Sequence, residues 1–252
     1  MLKQFITKKR KMLYGYVNRR FRRDDTFIDP TWWDDTFYSG DICDSRTLAP
    51  DKSKLASVYH YASIELLLSQ FFHDRQVAIT GSTVLDIGSG AGHWLRFYDN
   101  LGAAGIHGVE VSKNACTHLQ EAFTAHRQIK IVNATALQYF KQSEQAYGLI
   151  NAIGVMFHIT DDMEWEATLA HAHAALSSHG HLVVGGHFGW LDNLFVQKDR
   201  DGAINKVLRS RKRWERTLRN IGFSQINFIK NNAYLRFKDT LPENNLLIAK
   251  KA

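Results

Sequence analysis

A carboxylate and three glycines stand where the sequence changes from an apolar strand to a helix. Residues 84–92 read Val-Leu-Asp-Ile-Gly-Ser-Gly-Ala-Gly, so Asp86 is followed by glycine at positions 88, 90 and 92. The apolar residues predict a buried parallel strand, and the spacing of Trp94, Tyr98 and Leu101 predicts a helix. Glycine lets the backbone approach a ligand closely, and amide groups at a helix N-terminus point toward it. The pattern therefore predicts a site for a nucleotide-like ligand.

The residue at position 93 separates two such ligands. A dinucleotide site of the G-x-G-x-x-G type needs glycine there, whereas this chain has His93. The D-x-G-x-G-x-G pattern resembles motif I of the class I S-adenosylmethionine-dependent methyltransferases. This resemblance implies S-adenosyl-L-methionine as the cofactor, with an acidic strand end near its ammonium group. The residues that it implies at the cofactor are Asp86, Ile87, Gly88, Ser89, Gly90 and Gly92.

Polar residues at the ends of further predicted strands extend the resemblance. Glu110 lies eighteen residues beyond Gly92, where a carboxylate can accept both ribose hydroxyls. The family usually has aspartate where Asn133 stands, and the side-chain carbonyl of asparagine can also accept a hydrogen bond from the adenine amine. The other implied cofactor residues are Val111, Ala134, Asn151 and Ala152.

Strands and helices alternate along the chain after about residue 55. Asp161 and Glu164 predict a capping box for a helix to about Ser177, and Gly222 predicts the end of a helix that begins near Ala203. The pattern predicts an α/β fold, a Rossmann-like seven-stranded, mostly parallel sheet with helices on both faces. The resemblance implies that the last strands are antiparallel. After the first strand, the predicted strands are 105–112, 129–135, 147–153, 180–186, 223–230 and 245–249.

The net charge of the chain is concentrated at its beginning. Residues 1–25 contain nine Lys or Arg and two Asp, which equals the net charge of +7 of all 252 residues. We interpret 1–25 as a basic leader, 26–54 as an aromatic and acidic N-terminal cap, and 55–252 as the methyltransferase domain. The leader predicts an anionic partner, either a membrane surface or RNA, an organellar transit peptide, or a solvated cap helix.

The sequence predicts a cytoplasmic protein, with an organellar location as the alternative if the leader is a transit peptide. No secretory hydrophobic segment is recognised, and no apolar run approaches the ~18 residues of a transmembrane helix. Two distant cysteines, Cys43 and Cys116, predict free thiols. The oligomeric state stays open.

Several methyltransferase subclasses are disfavoured by the sequence. Amine-methylating enzymes that act on bases resemble one another in an Asn/Asp-Pro-Pro-aromatic motif, but 151–154 here read Asn-Ala-Ile-Gly. Cys116 follows the wrong strand for a cytosine-C5 nucleophile. The pair Asp192-Asn193 resembles part of a catechol-type metal site, but residues 151–154 contain no carboxylate, so we predict no metal.

Histidine residues are predicted near the place where the methyl acceptor would bind, and the pKa of an imidazole allows it to remove a proton at neutral pH. His158 follows the fourth strand and resembles the histidine that often orients the acceptor or acts as base in small-molecule members of the family. His187, after the fifth strand, is the second candidate. A structural role is the alternative for each.

Two further regions could contact the acceptor. Trp32, Trp33 and Phe37 could line an apolar pocket, or could only attach the N-terminal cap to the sheet. Arg209 and Arg213 fall on one face of the predicted helix 203–220, which is either solvated or receives a carboxylated or phosphorylated acceptor.

These observations predict an enzyme that transfers a methyl group to an O or N atom of a small-molecule acceptor by in-line displacement. Two alternatives are an RNA or protein methyltransferase that grips its substrate through the basic leader, and a cofactor-binding module without catalysis.

Overall fold

The computed structural model describes residues 27–48, 53–186, 188–189, 203–231 and 245–252, and the backbone of 195–198. The basic leader and His187 lie outside the described residues, so the predictions made for them stay predictions. Within the described part of the chain, no helix is both long and apolar enough to cross a membrane.

A seven-stranded mixed sheet forms the centre of the molecule, as the sequence predicts. Its strand order is β3-β2-β1-β4-β5-β9-β8. The pairs from β3 to β5 are parallel, whereas β9 runs antiparallel to both of its neighbours. The strands are β1 Thr83–Ile87, β2 Gly105–Glu110, β3 Ile129–Asn133, β4 Tyr147–Ile153, β5 Leu176–Gly186, β8 Phe223–Ile229 and β9 Asn245–Lys251, with β6 Phe195–Lys198 and β7 Ile204–Leu208 in a separate antiparallel pair.

Helices cover both faces of the sheet. Many begin at a side chain that accepts a hydrogen bond from the first turn, and Asp161 does so from the amide of Glu164 at 2.8 Å, the forward half of the predicted capping box. A π-helical turn, Trp33–Phe37, precedes them. The α-helices are α1 Asp44–Leu48, α2 Lys54–Asp74, α3 His93–Asn100, α4 Lys113–Ala122, α5 Ala136–Gln142, α6 Asp162–Ala175 and α7 Arg211–Ile221.

Alternate residues of each strand enter different apolar clusters, because successive side chains of a strand point to opposite faces. In β1, Val84 packs into the cluster beneath α2 and α3, and Leu85 packs into the cluster beneath α6 and α7. Both side chains are fully buried. The sheet is therefore sandwiched between two apolar layers, and the short hydrophobic run of β1 needs no alternation.

Two predicted boundaries are wrong. Residues 204–208 form β7, paired with β6, and the helix begins only at Arg211, because Ser210 caps it by accepting a hydrogen bond from the Arg213 amide. The helix before β5 ends at Ala175 rather than near Ser177. Leu176 already pairs with Tyr147 of β4, so sheet pairing replaces the last helical turn.

The strand order reverses between β1 and β4, from which successive strands extend in opposite directions. In open α/β sheets a crevice forms at such a point, outside the carboxyl ends of the strands. The glycine-rich segment and the end of β4 both lie there.

Candidate active site

The glycine-rich turn after β1 has a backbone that other residues would not tolerate. Gly88 has φ +70°, and a Cβ there would lie 2.3 Å from Cγ2 of Val155. Gly90 has φ +53°, and its Cβ would lie 2.4 Å from Cγ2 of Thr47. Both the left-handed conformation and the close packing therefore require glycine. The turn leads directly into α3, which begins at His93.

Glu110, at the end of β2, holds this turn in place. Its carboxylate accepts hydrogen bonds from the amide of Gly90 at 2.9 Å and from the amide of Ser112 at 2.9 Å. The side chain is nearly fully buried, and this burial raises its pKa although the amide hydrogen bonds oppose the shift. Glu110 also lines the cavity described below. A carboxylate oxygen has capacity for more than one hydrogen bond, so Glu110 can also accept from a ligand.

Asp86 lies beneath the turn and belongs to a buried polar chain. The Tyr98 hydroxyl donates to Asn151 Oδ1 at 3.1 Å, and Asn151 Nδ2 donates to Asp86 Oδ1 at 2.7 Å. Asp86 Oδ2 is buried, and the described residues supply no hydrogen-bond donor to it. Burial raises the pKa of Asp86 to about 7. A buried carboxylate oxygen that lacks a donor fits a ligand that brings a positive charge or a donor close to it.

A cavity of about 640 Å³ lies outside these strand ends, a size suited to a cofactor and a small acceptor. Six of the twelve predicted cofactor residues line the cavity, and the other six do not. Those that line it are Ile87, Gly88, Ser89, Glu110, Val111 and Ala134. Those that do not are Asp86, Gly90, Gly92, Asn133, Asn151 and Ala152. The roles of all twelve residues at the cofactor stay predictions.

Asn133 is used to join two strands. Its Nδ2 donates to the carbonyl of Glu110 at 3.0 Å and to the carbonyl of Val111 at 2.9 Å. With the amide nitrogen bonded to β2, the side-chain oxygen is the group that can accept from an adenine amine.

The aromatic N-terminal segment forms one wall of the cavity. Trp32, Trp33 and Phe37 all line it, and Tyr38 is buried against it. The segment is attached through Asp34, whose Oδ1 accepts from the Ser112 hydroxyl at 2.6 Å and from the Asn114 amide at 3.0 Å. These placements support the pocket-lining interpretation of the aromatic residues.

His93 attaches a second part of the same segment, a role that the sequence did not reveal. Its Nδ1 lies 3.0 Å from Oδ2 of Asp44, and its Nε2 lies 2.8 Å from Oε1 of Glu65. The ring stacks on Tyr61 at 3.7 Å between centroids, and Arg96 donates to Asp44 at 2.7 Å. Asp44 and His93 are 49 residues apart, so no local spacing could have predicted this contact.

His158 lies at the other end of the cavity. Its Nδ1 donates to the carbonyl of Asn205 at 2.6 Å, and its ring meets Trp33 edge-on with centroids 4.7 Å apart. In the neutral imidazole this hydrogen bond leaves the lone pair on Nε2. Asn205 and Lys206 of β7 also line this end. The sequence missed both because it assigned them to a helix.

Comparison with known proteins agrees with this geometry. The sequence model of a family described as a methyltransferase domain matches residues 84–180. Its span begins with the glycine-rich turn, whose geometry is given above. Residues 84–180 are therefore similar to a methyltransferase domain, in agreement with the resemblance of the sequence to the class I S-adenosylmethionine-dependent methyltransferases.

Solved structures show the same fold. Magnesium protoporphyrin IX methyltransferase from Synechocystis PCC 6803 aligns with a TM-score of 0.62 at 14% identity, covering 89% of this chain and 98% of that one. The 1,6-didemethyltoxoflavin N1-methyltransferase from Burkholderia thailandensis gives 0.57 at 14%, covering 77% and 89%. A putative methyltransferase from Listeria monocytogenes gives 0.56 at 18%, covering 69% and 92%. Comparison with curated protein sequences gave no significant match.

The pair Asp192-Asn193 lies outside the described residues, so the prediction of no metal stays a prediction. The described residues contain no group of three or more His, Cys, Asp or Glu side chains that could hold a metal ion. Cys116 is buried in α4, with its sulfur 3.4 Å from the carbonyl of Glu110, and burial raises its pKa to about 11. A thiol with a raised pKa is a poor nucleophile.

Arg209 and Arg213 match neither of the two roles considered for them, a solvated helix face or a site for an anionic acceptor. Arg209 precedes the helix, and its guanidinium is buried against Asp162 of α6, which also pairs with Arg213. Arg209 also lies 4.5 Å from the ring centroid of Trp165. Neither arginine lines the cavity of the methyltransferase. They join α6 to α7.

Proposed function

We propose that this methyltransferase transfers the methyl group of S-adenosyl-L-methionine to an O or N atom of a small-molecule acceptor. The observation that carries the proposal is a single cavity with two different ends. One end has the glycine-rich turn and Glu110, and the other has aromatic rings and His158. Such a cavity holds two reactants side by side and excludes water.

The reaction is an in-line displacement. A lone pair of the acceptor atom forms a bond to the methyl carbon while the carbon–sulfur bond breaks and its electron pair stays on sulfur. The sulfonium becomes the neutral thioether of S-adenosylhomocysteine, and the acceptor atom loses its proton if it carried one. His158 is our candidate to receive that proton through Nε2, because Nδ1 already donates to Asn205.

A small acceptor is supported by the wall that the N-terminal segment builds. Trp33 contacts the ring of His158, and Tyr38 is buried beside the turn, so the N-terminal segment spans both ends of the cavity. Two enzymes of similar structure are named for small molecules, as magnesium protoporphyrin IX methyltransferase and 1,6-didemethyltoxoflavin N1-methyltransferase.

The cofactor part of the proposal is tested by calorimetry with S-adenosylhomocysteine. Because Glu110 also holds the turn, we would use Glu110→Gln, which retains one carbonyl oxygen, and Glu121→Gln on the exposed side of α4 as the matched control. Loss of a charged hydrogen-bond partner predicts about 10- to 100-fold weaker binding for Glu110→Gln alone. Equal affinity in both variants would contradict the assignment.

The acceptor part is tested with methyl-labelled cofactor and cell extract separated into low-mass and macromolecular fractions. Label appearing in the low-mass fraction supports the proposal. Label confined to RNA or protein, and lost when residues 1–23 are deleted, would favour the alternative in which the basic leader grips a macromolecule.

A further inference from the structure

A lysine stands in the wall of the cavity at the acceptor end. Lys206 of β7 is half-buried, and its Nζ lies 5.2 Å from the ring centroid of Phe157. It is the only lysine or arginine among the described residues that line the cavity. A side chain of this length usually carries its charge out to solvent. Lys206 instead has its ammonium group beside an aromatic ring and the cavity.

No described carboxylate neutralises this ammonium group. The other cations of the neighbourhood are paired, since Arg209 and Arg213 both bind Asp162. Among the described residues, Lys206 has a ring contact and no ion pair. Burial lowers the pKa of Lys206, and no described acid opposes the shift. A partly desolvated charge without a counter-charge is costly unless a ligand supplies one.

Asn205, next to Lys206, adds a second polar group without a partner. The residue is only 6% exposed and lines the cavity. Its side-chain oxygen is buried and has no hydrogen-bond partner among the described residues. Its backbone carbonyl, in contrast, accepts the hydrogen bond from His158. One short strand therefore supplies two groups to the same end of the cavity. The ammonium group of Lys206 can bind an oxyanion, and the side-chain oxygen of Asn205, which has no described partner, can accept from an N–H or O–H group of the same ligand.

The cofactor strengthens the case for a negative charge at this end. Its sulfonium is positive, so with the cofactor bound the cavity holds a second cation in a poorly solvated space. Like charges repel more strongly there than in water. The carboxylates of Asp29, Glu110 and Glu164 also line the cavity, but none of them forms an ion pair with Lys206 among the described contacts. A negatively charged acceptor supplies Lys206 with a counter-charge, whereas a neutral acceptor does not.

We infer that the methyl acceptor is a small molecule with an apolar, ring-like body and an oxyanion, a carboxylate or a phosphate, which the ammonium group of Lys206 binds. The ring fits among Trp33, Phe37 and Phe157, which line the cavity. This inference rests on the proposed function and specifies its substrate class. Lys206 then determines specificity, and the chemical step is left to other groups.

The inference is tested by calorimetry on the full chain saturated with S-adenosylhomocysteine. Three probes of similar shape are titrated, namely benzoate, phenyl phosphate and the neutral benzamide. We expect at least one of the two anions to bind about tenfold or more tightly than benzamide, because a charge-assisted hydrogen bond is lost in the amide. The anion that binds better distinguishes a carboxylate from a phosphate.

Variants then assign the effect to Lys206. Lys206→Met and Lys206→Gln are expected to remove the preference for the anion, whereas Lys206→Arg should retain it. Lys130→Met, at an exposed position of β3, is the matched control and should behave as the parent chain does. Unchanged affinity for S-adenosylhomocysteine in each variant verifies that it is folded.

Two results would overturn the inference. One is equal or absent binding of benzoate, phenyl phosphate and benzamide to the parent chain, and the other is an anion preference that survives in both neutral variants. Failure of the parent chain to bind S-adenosylhomocysteine would instead contradict the proposed function. The two failures are therefore distinguishable.

Discussion

Asp86 is fully buried and has an incomplete set of hydrogen bonds. Asn151 satisfies one of its oxygens, and the described residues leave the other without a donor. The resulting pKa of about 7 lies well above the ordinary value of 3.8. Between about pH 4 and pH 7, the Asp86 carboxyl therefore holds a proton in the folded protein that it has released in the unfolded chain.

The sign of the resulting pH dependence follows from linkage. Between about pH 4 and pH 7 the folded state binds more protons at Asp86 than the unfolded state, so its contribution to the free energy of unfolding falls as pH rises and is constant above about pH 7. Each pH unit within that window costs about 1.4 kcal/mol at most.

Urea unfolding from pH 5 to pH 8 measures this effect. The stability of Asp86→Asn relative to the parent chain should increase with pH up to about 7, because the variant has no proton to release. Asp74→Asn, at the exposed end of α2, is the control and should give a constant difference. A constant difference for Asp86→Asn as well would contradict the raised pKa.

Gly88 offers a separate prediction at the level of one residue. We expect Gly88→Ala to lower the free energy of unfolding by about 2–4 kcal/mol, from the left-handed φ and the overlap with Val155. Gly81→Ala has a similar φ of +77° and nothing within 4 Å of its Cβ, so it should cost only about 1 kcal/mol. Val155→Ala should recover part of the loss in Gly88→Ala but not in Gly81→Ala.

Contacts between elements fix the N-terminal segment over the cofactor end. Asp34 lies at the N-terminus of α4, where the helix dipole and unpaired amides favour a carboxylate. Burial opposes the ionisation of Asp34, but the hydrogen bonds from Ser112 and the helix amides outweigh it, and the pKa is lowered. Asp34 of the π-helical turn therefore caps the N-terminus of α4 and attaches the turn to that helix.

Removing this cap should loosen the cavity wall. We expect Asp34→Ala to weaken binding of S-adenosylhomocysteine by about 5- to 30-fold, the equivalent of about 1–2 kcal/mol for a lost cap. Asp35→Ala changes the neighbouring exposed carboxylate and should have no effect. Calorimetry of both variants makes the comparison, and equal affinities would show that the segment docks without Asp34.

The contact between α6 and α7 depends on one carboxylate. Asp162 pairs with Arg209, whose side chain is 1% exposed, and with Arg213. The Asp162 side chain is 37% exposed, so the cost of a fully buried pair does not apply to it. Asp162→Asn leaves a buried arginine with a weaker partner, which should cost about 1–3 kcal/mol and lower the urea midpoint. Glu166, the exposed partner of Arg213, is the control, and Glu166→Gln should cost less than about 0.5 kcal/mol. Similar losses in both would contradict a special role for the pair of Asp162 with Arg209.

The sequence predicted elements well where the signal was local. The run Val84–Ile87 and the glycines after it specify a strand and a turn, and the antiparallel direction of the last strands follows from the resemblance that they carry. The sequence wrongly predicted helix where β7 lies, because the composition of a short strand followed by a capped helix is the same as that of one longer helix. It also missed the contact between His93 and Asp44, since a pairing across 49 residues leaves no period in the sequence.

At the scale of the whole molecule, the cavity is lined by residues from almost the full described length of the domain. Ile28 and Lys206 both line it, as do the ends of β1, β2 and β4. A ligand that fills such a cavity connects segments that are distant in the chain. It therefore stabilises the folded state as a unit.

Hydrogen exchange with and without S-adenosylhomocysteine measures this connection. We expect slower amide exchange both at the turn 88–92 and in 33–48, because the two segments contact each other through Thr47 and Tyr38 at Gly90. Amides at the outer end of β8, whose residues do not line the cavity, serve as the internal reference. Protection of the turn alone would mean that the N-terminal segment does not respond to the cofactor.

The double use of Glu110 has an evolutionary consequence. The carboxylate that we propose recognises the ribose also accepts hydrogen bonds from the amides of Gly90 and Ser112. We expect a mutation of Glu110 to change both the affinity for the ligand and the order of the turn. Selection on one of these two properties therefore also acts on the other. Lineages that abandon the cofactor would have to rebuild the turn in the same step.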